Sequence, residues 1–365
     1  MPELPEVETI RRQLAPLVEG RRLLRVEILD PRWSRPLTPD ELADALRGRR
    51  IERLDRRGKY LVWHLAGEVF LAQHLRMTGA VLCEPSPEPA HVRVRLELGA
   101  PSRTSALGAS TNTPEPGARP RTLSTRPRGP RRRRLVIVDP RRFGTGELLL
   151  GEEAMERFFA ERLGLEPLDE RFTAEHLRAL ARGRGAPVKA FLLDQRRVAG
   201  VGNIYADEAL FRAGIHPLRP AGRLSLAQCA RLREGVVEAL GEGIDARGAT
   251  IDDFRHVDGV RGSFQDRFLV HRREGLPCPR CGRTIVKLVV AGRGTYVCER
   301  CQPRPRGAGR RLRPLAETGM LAEGQCLPAS VETGMLAAGL RLPASVDLRS
   351  TARSAGRSRR PPGSR

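Results

Sequence analysis

Four cysteines near the end of the chain have the spacing of a metal site. Two residues separate the members of each pair and sixteen separate the pairs: Cys278, Cys281, Cys298 and Cys301. Each Cys-x2-Cys turn directs two sulfurs at one ion, and a hairpin joining two such turns completes a tetrahedron. No position remains for water, so the sequence predicts one structural zinc ion, Zn2+. Paired disulfides are the alternative, which a reducing compartment disfavours.

The segment between the cysteine pairs has the pattern of a β-hairpin. TIVKLVVAGRGTYV places two apolar stretches around a Gly-rich turn, with Arg293 near its tip. A zinc ribbon that presents a cation at its tip is suited to contact DNA, although many ribbons bind protein instead.

A second candidate site is a glycine-rich turn that leads into a helix. VAGVGNIYADEALF places glycines before a helix beginning near Asn203. The free amides of a helix start favour an anion, and glycines let the backbone approach it. Lys189, in the preceding helix PVKAFLL, adds a cation. The pattern predicts a phosphate site, and a Gly-rich turn between packed helices is the alternative.

The first twenty residues combine a proline at position 2 with four glutamates. Apolar residues recur there at helical spacing, at Val7, Ile10, Leu14 and Leu17. Carboxylates stabilise the N-terminus of a helix. The residues alone therefore allow a purely structural interpretation, in which the acids Glu3, Glu6 and Glu8 only stabilise the start of a helix.

The hydrophobic pattern changes near residue 151. Earlier segments alternate polar and apolar residues, as antiparallel strands do: RLLRVEIL, RIERLDRRGKYLVWHLA, EVFLAQHLRMTG and HVRVRLEL. Later segments have the period of helices. The sequence therefore predicts an α+β protein with a β-rich N-terminal domain (1–150), a helical domain (151–275) and the zinc module (276–302).

Two segments interrupt this plan. Residues 100–134 are rich in Pro, Ser, Thr, Gly and Arg and cannot form a core, which predicts a disordered basic insert. Residues 303–365 contain a two-copy repeat, ETGMLAEGQCLPASV followed by ETGMLAAGLRLPASV. Two copies are too few for a solenoid. The prediction for this tail is also disorder.

The net charge of +22 is unevenly distributed over the 365 residues. The insert has nine Arg and one Glu, and the tail has twelve Arg and four acids, which leaves +6 for the remainder. That remainder is still basic enough for a nucleic-acid partner. The chain has neither a signal peptide nor a long apolar run, so we expect a cytoplasmic protein without membrane contact.

Several motifs in order along the chain resemble the formamidopyrimidine-DNA glycosylase family, bacterial enzymes that remove oxidised purines. They are PELPEVET at the start, GKYL, HLRMTG, DPRRFG, GVGNIYADEALF and the four-cysteine ribbon. The resemblance covers about 1–98 and 135–302. It implies an N-terminal antiparallel β-sandwich with flanking helices and a C-terminal helix-two-turn-helix domain with a zinc ribbon. Damaged double-stranded DNA would lie between them, and a monomer is expected.

The resemblance also implies the catalytic residues. Pro2 matches the family's nucleophile, an N-terminal proline exposed by removal of Met1, which forms a Schiff base. An α-amine has a pKa of about 8, so part of it is neutral and nucleophilic at neutral pH. Glu3 is the best candidate for moving protons, and Glu6 for supporting it. Lys59, on the strand GKYLVW, matches a lysine that contacts phosphates beside the lesion.

Base extrusion leaves a gap in the DNA stack. The family fills it with side chains that match Met77, Arg141 and Phe143 here, an apolar wedge with a cation. Backbone-phosphate contacts are implied for three further residues, Lys189, Asn203 and Arg293. The segment 246–254 matches a loop that can close over the everted base.

Two rival interpretations remain open. Endonuclease VIII, a sister enzyme for oxidised pyrimidines, is disfavoured by PELPEV in place of a PEGPEI-like start. A noncatalytic DNA-binding zinc protein would keep the helical and zinc modules alone. The insert is a departure from the family pattern, and we expect it to misplace the wedge if it disturbs strand pairing.

Overall fold

The structure, a computed structural model, describes residues 2–101, 132–250, 257 and 261–306. Most of the predicted insert and nearly all of the predicted tail, with its repeat, lie outside the described residues. Met1 and residues 251–254 of the predicted closing loop also lie outside them.

Two four-stranded antiparallel sheets form the N-terminal part, in the orders β1-β6-β7-β5 and β2-β3-β4-β8. The strands are β1 (Leu23–Ile28), β2 (Ile51–Arg57), β3 (Tyr60–Leu65), β4 (Val69–His74), β5 (Ala80–Cys83), β6 (Val92–Leu98), β7 (Arg133–Val138) and β8 (Thr145–Leu150). Their apolar faces share one core with the helices α1 (Leu4–Val18) and α2 (Pro39–Leu46). The predicted antiparallel β-sandwich with flanking helices is confirmed.

The strands on either side of the insert are direct neighbours. Leu98 at the end of β6 pairs with Arg133 at the start of β7. Strand pairing therefore continues to the edge of the insert, and the strand leading into DPRRFG is intact. Arg133 and Arg134, which the sequence assigned to the insert, belong to β7.

The first helix after the sheets packs on the second sheet. α3 (Glu152–Ala160) buries Met155, Phe158 and Phe159 against apolar side chains of β3 and β4. The Tyr60 ring meets the Phe158 ring edge-on, with centroids 5.8 Å apart. The sequence places a domain boundary at residue 151, and in the structure the aromatic face of α3 packs on the N-terminal part.

Four further helices form a second core. They are α4 (Ala174–Ala181), α5 (Val188–Leu193), α6 (Asn203–Ala213) and α7 (Leu226–Asp245). The Ser225 side chain starts α7 by accepting a hydrogen bond from the Gln228 amide at 3.2 Å. The ribbon follows as the antiparallel pair β9 (Val286–Val290) and β10 (Arg293–Val297). Among the described helices, none combines the length and apolar character that crossing a bilayer requires.

Candidate active site

The N-terminal helix begins inside the helical part of the molecule. Leu4 is buried in the core of α4 to α7, whereas Val7 and Ile10 of the same helix belong to the sandwich core. The Leu4 amide donates to the Gly200 carbonyl at 3.1 Å. Gly200 has a φ of +86°, and a Cβ there would lie 2.5 Å from Leu4 Cδ1. Only glycine permits this close approach.

Glu3 occupies the start of α6. Its Oε1 accepts a hydrogen bond from the Ile204 amide at 3.1 Å, and its Oε2 accepts one from the Tyr205 amide at 3.5 Å. A Cβ on Gly202 would lie 2.2 Å from Glu3 Cδ, so glycine makes room for the carboxylate. The helix start does hold an anion, as the sequence predicts. That anion is Glu3, not a phosphate, which corrects the predicted phosphate site.

Glu6 is 1% exposed and accepts three hydrogen bonds. Its Oε2 accepts from the Glu3 amide at 2.8 Å, and its Oε1 accepts from the Tyr205 hydroxyl at 2.8 Å and the Ala249 amide at 2.7 Å. Burial raises the pKa of Glu6 and the charge of Glu3 raises it further, whereas the hydrogen bonds lower it. One carboxylate thus joins α1, α6 and the segment after α7.

Lys59 lies in the turn between β2 and β3 and not on a strand, because β3 begins only at Tyr60. Its side chain is buried, and this desolvation lowers the pKa of Lys59, while the charges of Glu3 and Glu6 raise it. Pro2 is also buried, directly before Glu3. The four predicted catalytic residues therefore surround the start of α1.

The predicted wedge residues lie on two loops. Met77, after β4, is half-buried, whereas Arg141 and Phe143, between β7 and β8, are exposed. Phe143 exposes 51% of its surface, which is unusual for so large an apolar side chain. The Arg141 guanidinium lies 5.2 Å from the centre of the Phe143 ring. This exposed apolar and cationic pair has the character that stack filling requires.

Two residues without an assigned role in the sequence hold the wedge loops together. The Thr78 hydroxyl donates to Asp139 Oδ1 at 2.5 Å and accepts from the Arg141 amide at 3.3 Å. Asp139 Oδ2 accepts from the Gly144 amide at 2.7 Å. Both residues lie within the motifs HLRMTG and DPRRFG, which was the available signal, but their partnership depends on the fold.

Lys189, predicted to contact a phosphate, is fully buried. Its ammonium donates to Asp207 Oδ1 at 2.7 Å, to Thr295 Oγ1 at 2.7 Å and to the Gly294 carbonyl at 3.1 Å. The Asn203 side-chain amide donates to the same carbonyl at 3.0 Å. An ammonium has three donors, and all three are used inside the protein. The structure therefore places Lys189 as an anchor of the ribbon tip, away from solvent.

Arg293 is the exposed member of the three predicted phosphate contacts. It begins β10 directly before the anchored Gly294. Asn203 is half-buried, and its Oδ1 has no hydrogen-bond partner within the described part of the chain. Lys189 and Asn203 thus fix the hairpin that presents Arg293.

Replacing Lys189 with methionine is expected to lower the free energy of unfolding by about 3–5 kcal/mol, because the buried Asp207 would lose its lysine and keep only the His271 ring as a partner. Urea unfolding measures this loss. The matched control is Lys287→Met, at an exposed lysine of the same ribbon, which is expected to change stability little. A direct phosphate contact predicts the opposite: unchanged stability, with the slope of log affinity against log salt reduced by about one.

The four cysteine sulfurs lie within 4.8 Å of one another. Cys278 Sγ is 3.8 Å from Cys301 Sγ, and Cys281 Sγ is 3.4 Å from Cys298 Sγ. A tetrahedral zinc with bonds of about 2.3 Å needs sulfurs about 3.8 Å apart, so the cluster fits the ion. It packs against Phe211 of α6. Zinc would hold the ribbon in its folded form here.

The chain matches known proteins along most of its length. Three family models match in order: the formamidopyrimidine-DNA glycosylase N-terminal domain (1–146), the H2TH domain of that enzyme (163–255) and the zinc finger found in FPG and IleRS (275–304). The formamidopyrimidine-DNA glycosylase of Roseiflexus is 40% identical over 311 residues, 83% of this chain and 100% of that protein. The chain belongs to the formamidopyrimidine-DNA glycosylase family.

Solved structures of family members have the same fold. The MutM (Fpg) protein from Thermus thermophilus is 42% identical, with a TM-score of 0.67 over 82% of this chain and 98% of that one. The Lactococcus lactis Fpg, solved with DNA containing an abasic site, is 30% identical, with a TM-score of 0.70 over 83% and 100%. The family, fold class and zinc module predicted from the sequence are confirmed.

Proposed function

We propose that this protein is a bifunctional DNA glycosylase and AP lyase that excises oxidised purines, 8-oxoguanine and formamidopyrimidines, from duplex DNA in base excision repair. The observation that carries the proposal is the arrangement at the start of α1. Two buried glutamates there are hydrogen-bonded next to Pro2, and the buried Lys59 is attracted by both. Perturbed and paired groups of this kind are typical of catalytic sites.

The chemistry begins with the secondary amine of Pro2, which is free once Met1 has been removed. The amine attacks C1′ of the damaged nucleotide, so that the bond from nitrogen to carbon forms while the glycosidic bond breaks and the base leaves with a proton. The sugar ring then opens: the C1′–O4′ bond breaks, O4′ takes up a proton, and the nitrogen lone pair forms the iminium, the Schiff base, which withdraws electrons from the sugar. Loss of the C2′ proton then expels the 3′ phosphate, and a further proton loss expels the 5′ phosphate, giving β,δ-elimination.

The side chains around Pro2 have different roles in the reaction. Glu3, fixed by two amides at the start of α6, moves protons at the sugar and the departing base. Glu6 positions the Glu3 backbone through its hydrogen bond. Lys59 supplies a cation for the phosphate beside the lesion. Its attraction to Glu3 and Glu6 supports this role.

The DNA contacts follow from exposure and charge. Met77 and Phe143 replace the stacking of the extruded nucleotide, and Arg141 hydrogen-bonds to the orphaned base. Arg293 binds a backbone phosphate from the ribbon tip. Lys189 and Asn203 affect DNA binding indirectly, because they fix the ribbon tip that carries Arg293. The segment 246–254, described up to residue 250, would close over the everted base.

The partner is damaged double-stranded DNA, and the protein would act on it as a cytoplasmic monomer without membrane contact. Residues 1–150, extended by α3, form the catalytic part, residues 161–275 the helix-two-turn-helix part and residues 276–302 the zinc finger. The basic segments 100–134 and 303–365 would add nonspecific affinity that weakens with salt.

A comparison of lesions tests this function. Single-turnover excision of 8-oxoguanine paired with cytosine is expected to be about tenfold or more faster than excision of thymine glycol, an oxidised pyrimidine. Faster excision of the pyrimidine would indicate an endonuclease VIII-like enzyme. DNA binding with cleavage of neither substrate would indicate a noncatalytic DNA-binding zinc protein.

A further inference from the structure

Tyr205 is held rigidly beside the proposed catalytic residues. Its side chain is 1% exposed. The ring stacks on Phe264, with centroids 5.1 Å apart and an angle of 13° between the planes. On α7, a Cβ at Gly243 would lie 2.5 Å from Tyr205 Cε1, so the helix backbone is in contact with the ring. These contacts fix the direction in which the hydroxyl points.

That hydroxyl donates to Glu6 Oε1 at 2.8 Å, and the Ala249 amide donates to the same oxygen at 2.7 Å. The other oxygen of Glu6 accepts from the Glu3 amide at 2.8 Å. The Glu3 amide is part of the peptide bond to Pro2. A chain of two hydrogen bonds therefore connects the phenol to the backbone that carries the proposed nucleophile.

We propose that Tyr205 is a positioning residue that orients Glu6 and, through Glu6, the Pro2–Glu3 backbone during base excision. The inference rests on the proposed function, since it takes Pro2 as the nucleophile. It also links two parts of the site, because the Ala249 amide lies in the described part, 246–250, of the segment assigned to the everted base. The backbone at Ala249 and the Pro2–Glu3 backbone are thus held by one carboxylate.

The arrangement favours the ionised form of Glu6. Three donors point at its two oxygens, and each is held more strongly by a carboxylate than by a neutral carboxyl. The charged and titratable groups around Glu6 are Glu3 directly before α1, Lys59 in the β2–β3 turn, and Tyr205 on α6, with Glu208 of α6 close to Tyr205. Burial raises the pKa of Tyr205 well above its usual value, so the phenol stays a donor.

The consequence is a defined change in pH dependence. Burial raises the pKa of Glu6, and the hydrogen bond from Tyr205 lowers it. Without the hydroxyl, Glu6 takes up its proton at a higher pH. Because the ionised form is the one that aligns the backbone, activity would be lost earlier as the pH falls. Protonation of the Pro2 amine also lowers the rate as the pH falls. Protonation of Glu6 therefore adds a second break to the pH–rate profile, below which the rate falls more steeply.

The experiment compares full-length, zinc-loaded wild type with Tyr205→Phe on 8-oxoguanine DNA. Single-turnover rate constants are measured from neutral to acidic pH. We expect the variant to be about tenfold slower at neutral pH, with the steeper break moved to higher pH and the Kd for DNA unchanged. Tyr296→Phe is the matched control, since it removes a phenol from the ribbon and should leave both the rate and the break in place.

Glu6→Gln keeps the test decisive should Tyr205→Phe fold poorly. The amide does not titrate, so the steeper break should disappear, and a retained break contradicts the inference. Adding Tyr205→Phe to Glu6→Gln should cost far less than tenfold, whereas a full additional tenfold loss would show that Tyr205 acts independently of Glu6. Wild type that fails to excise the base would refute the proposed function. Active wild type with an unchanged Tyr205→Phe profile would refute this inference alone.

Discussion

The Glu3→Gln variant is expected to excise 8-oxoguanine about 10²–10⁴-fold more slowly than wild type in a single turnover, because an amide cannot exchange a proton with the sugar or the base. The structure indicates that this substitution removes the acid without disturbing the local fold. Its side-chain carbonyl can still accept from the Ile204 amide, so the start of α6 stays capped. DNA affinity should change little, since Glu3 is 2% exposed and buried in the protein.

Glu8→Gln is the control for losing a carboxylate from the same helix. Glu8 is hydrogen-bonded to Arg11, Arg12 and Arg56. Although burial raises the pKa of Glu8, these arginines lower it to about 2. The sequence interpretation of Glu8 as structural predicts an unchanged excision rate. If Glu3→Gln excises the base at the wild-type rate, the proton moves through another group.

Replacing Pro2 with glycine is expected to slow strand cleavage by about 10²-fold or more. Glycine keeps an α-amine, but it loses the ring that sets the direction of the nitrogen, and misplacement by about 1 Å is enough for a loss of this size. A primary amine also gives an imine that must be protonated before it withdraws electrons, whereas proline gives an iminium directly. Cleavage of a 3′-labelled duplex containing 8-oxoguanine, followed on a gel, measures the effect.

Two further proteins separate the amine from the surrounding structure. Pro5→Ala changes a buried proline in the first turn of the same helix and should retain cleavage. Protein that keeps Met1 holds the nitrogen of Pro2 in a peptide bond and should lack cleavage altogether. Full activity of verified Met1-retaining protein would contradict the assignment of the nucleophile.

Patterns that depend on local conformation were predictable from the sequence. The cysteine spacing predicts the zinc geometry, because two tight turns and one hairpin determine where four sulfurs lie. The start of α6 after GVG was predictable from its glycines, as was its preference for an anion. The alternation of polar and apolar residues predicted the antiparallel sheets.

The identity of partners across the fold was not predictable in the same way. Glu3 and Ile204 are about two hundred positions apart, and no local pattern indicates that the carboxylate directly before α1 accepts hydrogen bonds at the start of α6. The burial of Lys189 depends on Asp207 and on a ribbon residue more than a hundred positions later. A lysine in sequence is therefore interpreted as a surface cation until its partners are known.

The position of α3 shows a related limit. The change from alternating to helical pattern at residue 151 is real, since α3 begins at Glu152. A change of secondary structure need not coincide with a change of domain, however. The outer face of β3 and β4 is apolar, and the nearest helix with aromatic residues covers it.

The central claim, that Pro2 is the nucleophile, is tested most directly by borohydride trapping on 8-oxoguanine DNA followed by peptide mass mapping. Lys59 is the internal competitor, because a buried lysine whose pKa is lowered by desolvation is also a suitable Schiff-base amine. We predict one covalent adduct per chain, located on the N-terminal peptide at Pro2. An adduct on Lys59, or no adduct from protein with a verified Pro2 terminus, would contradict the claim.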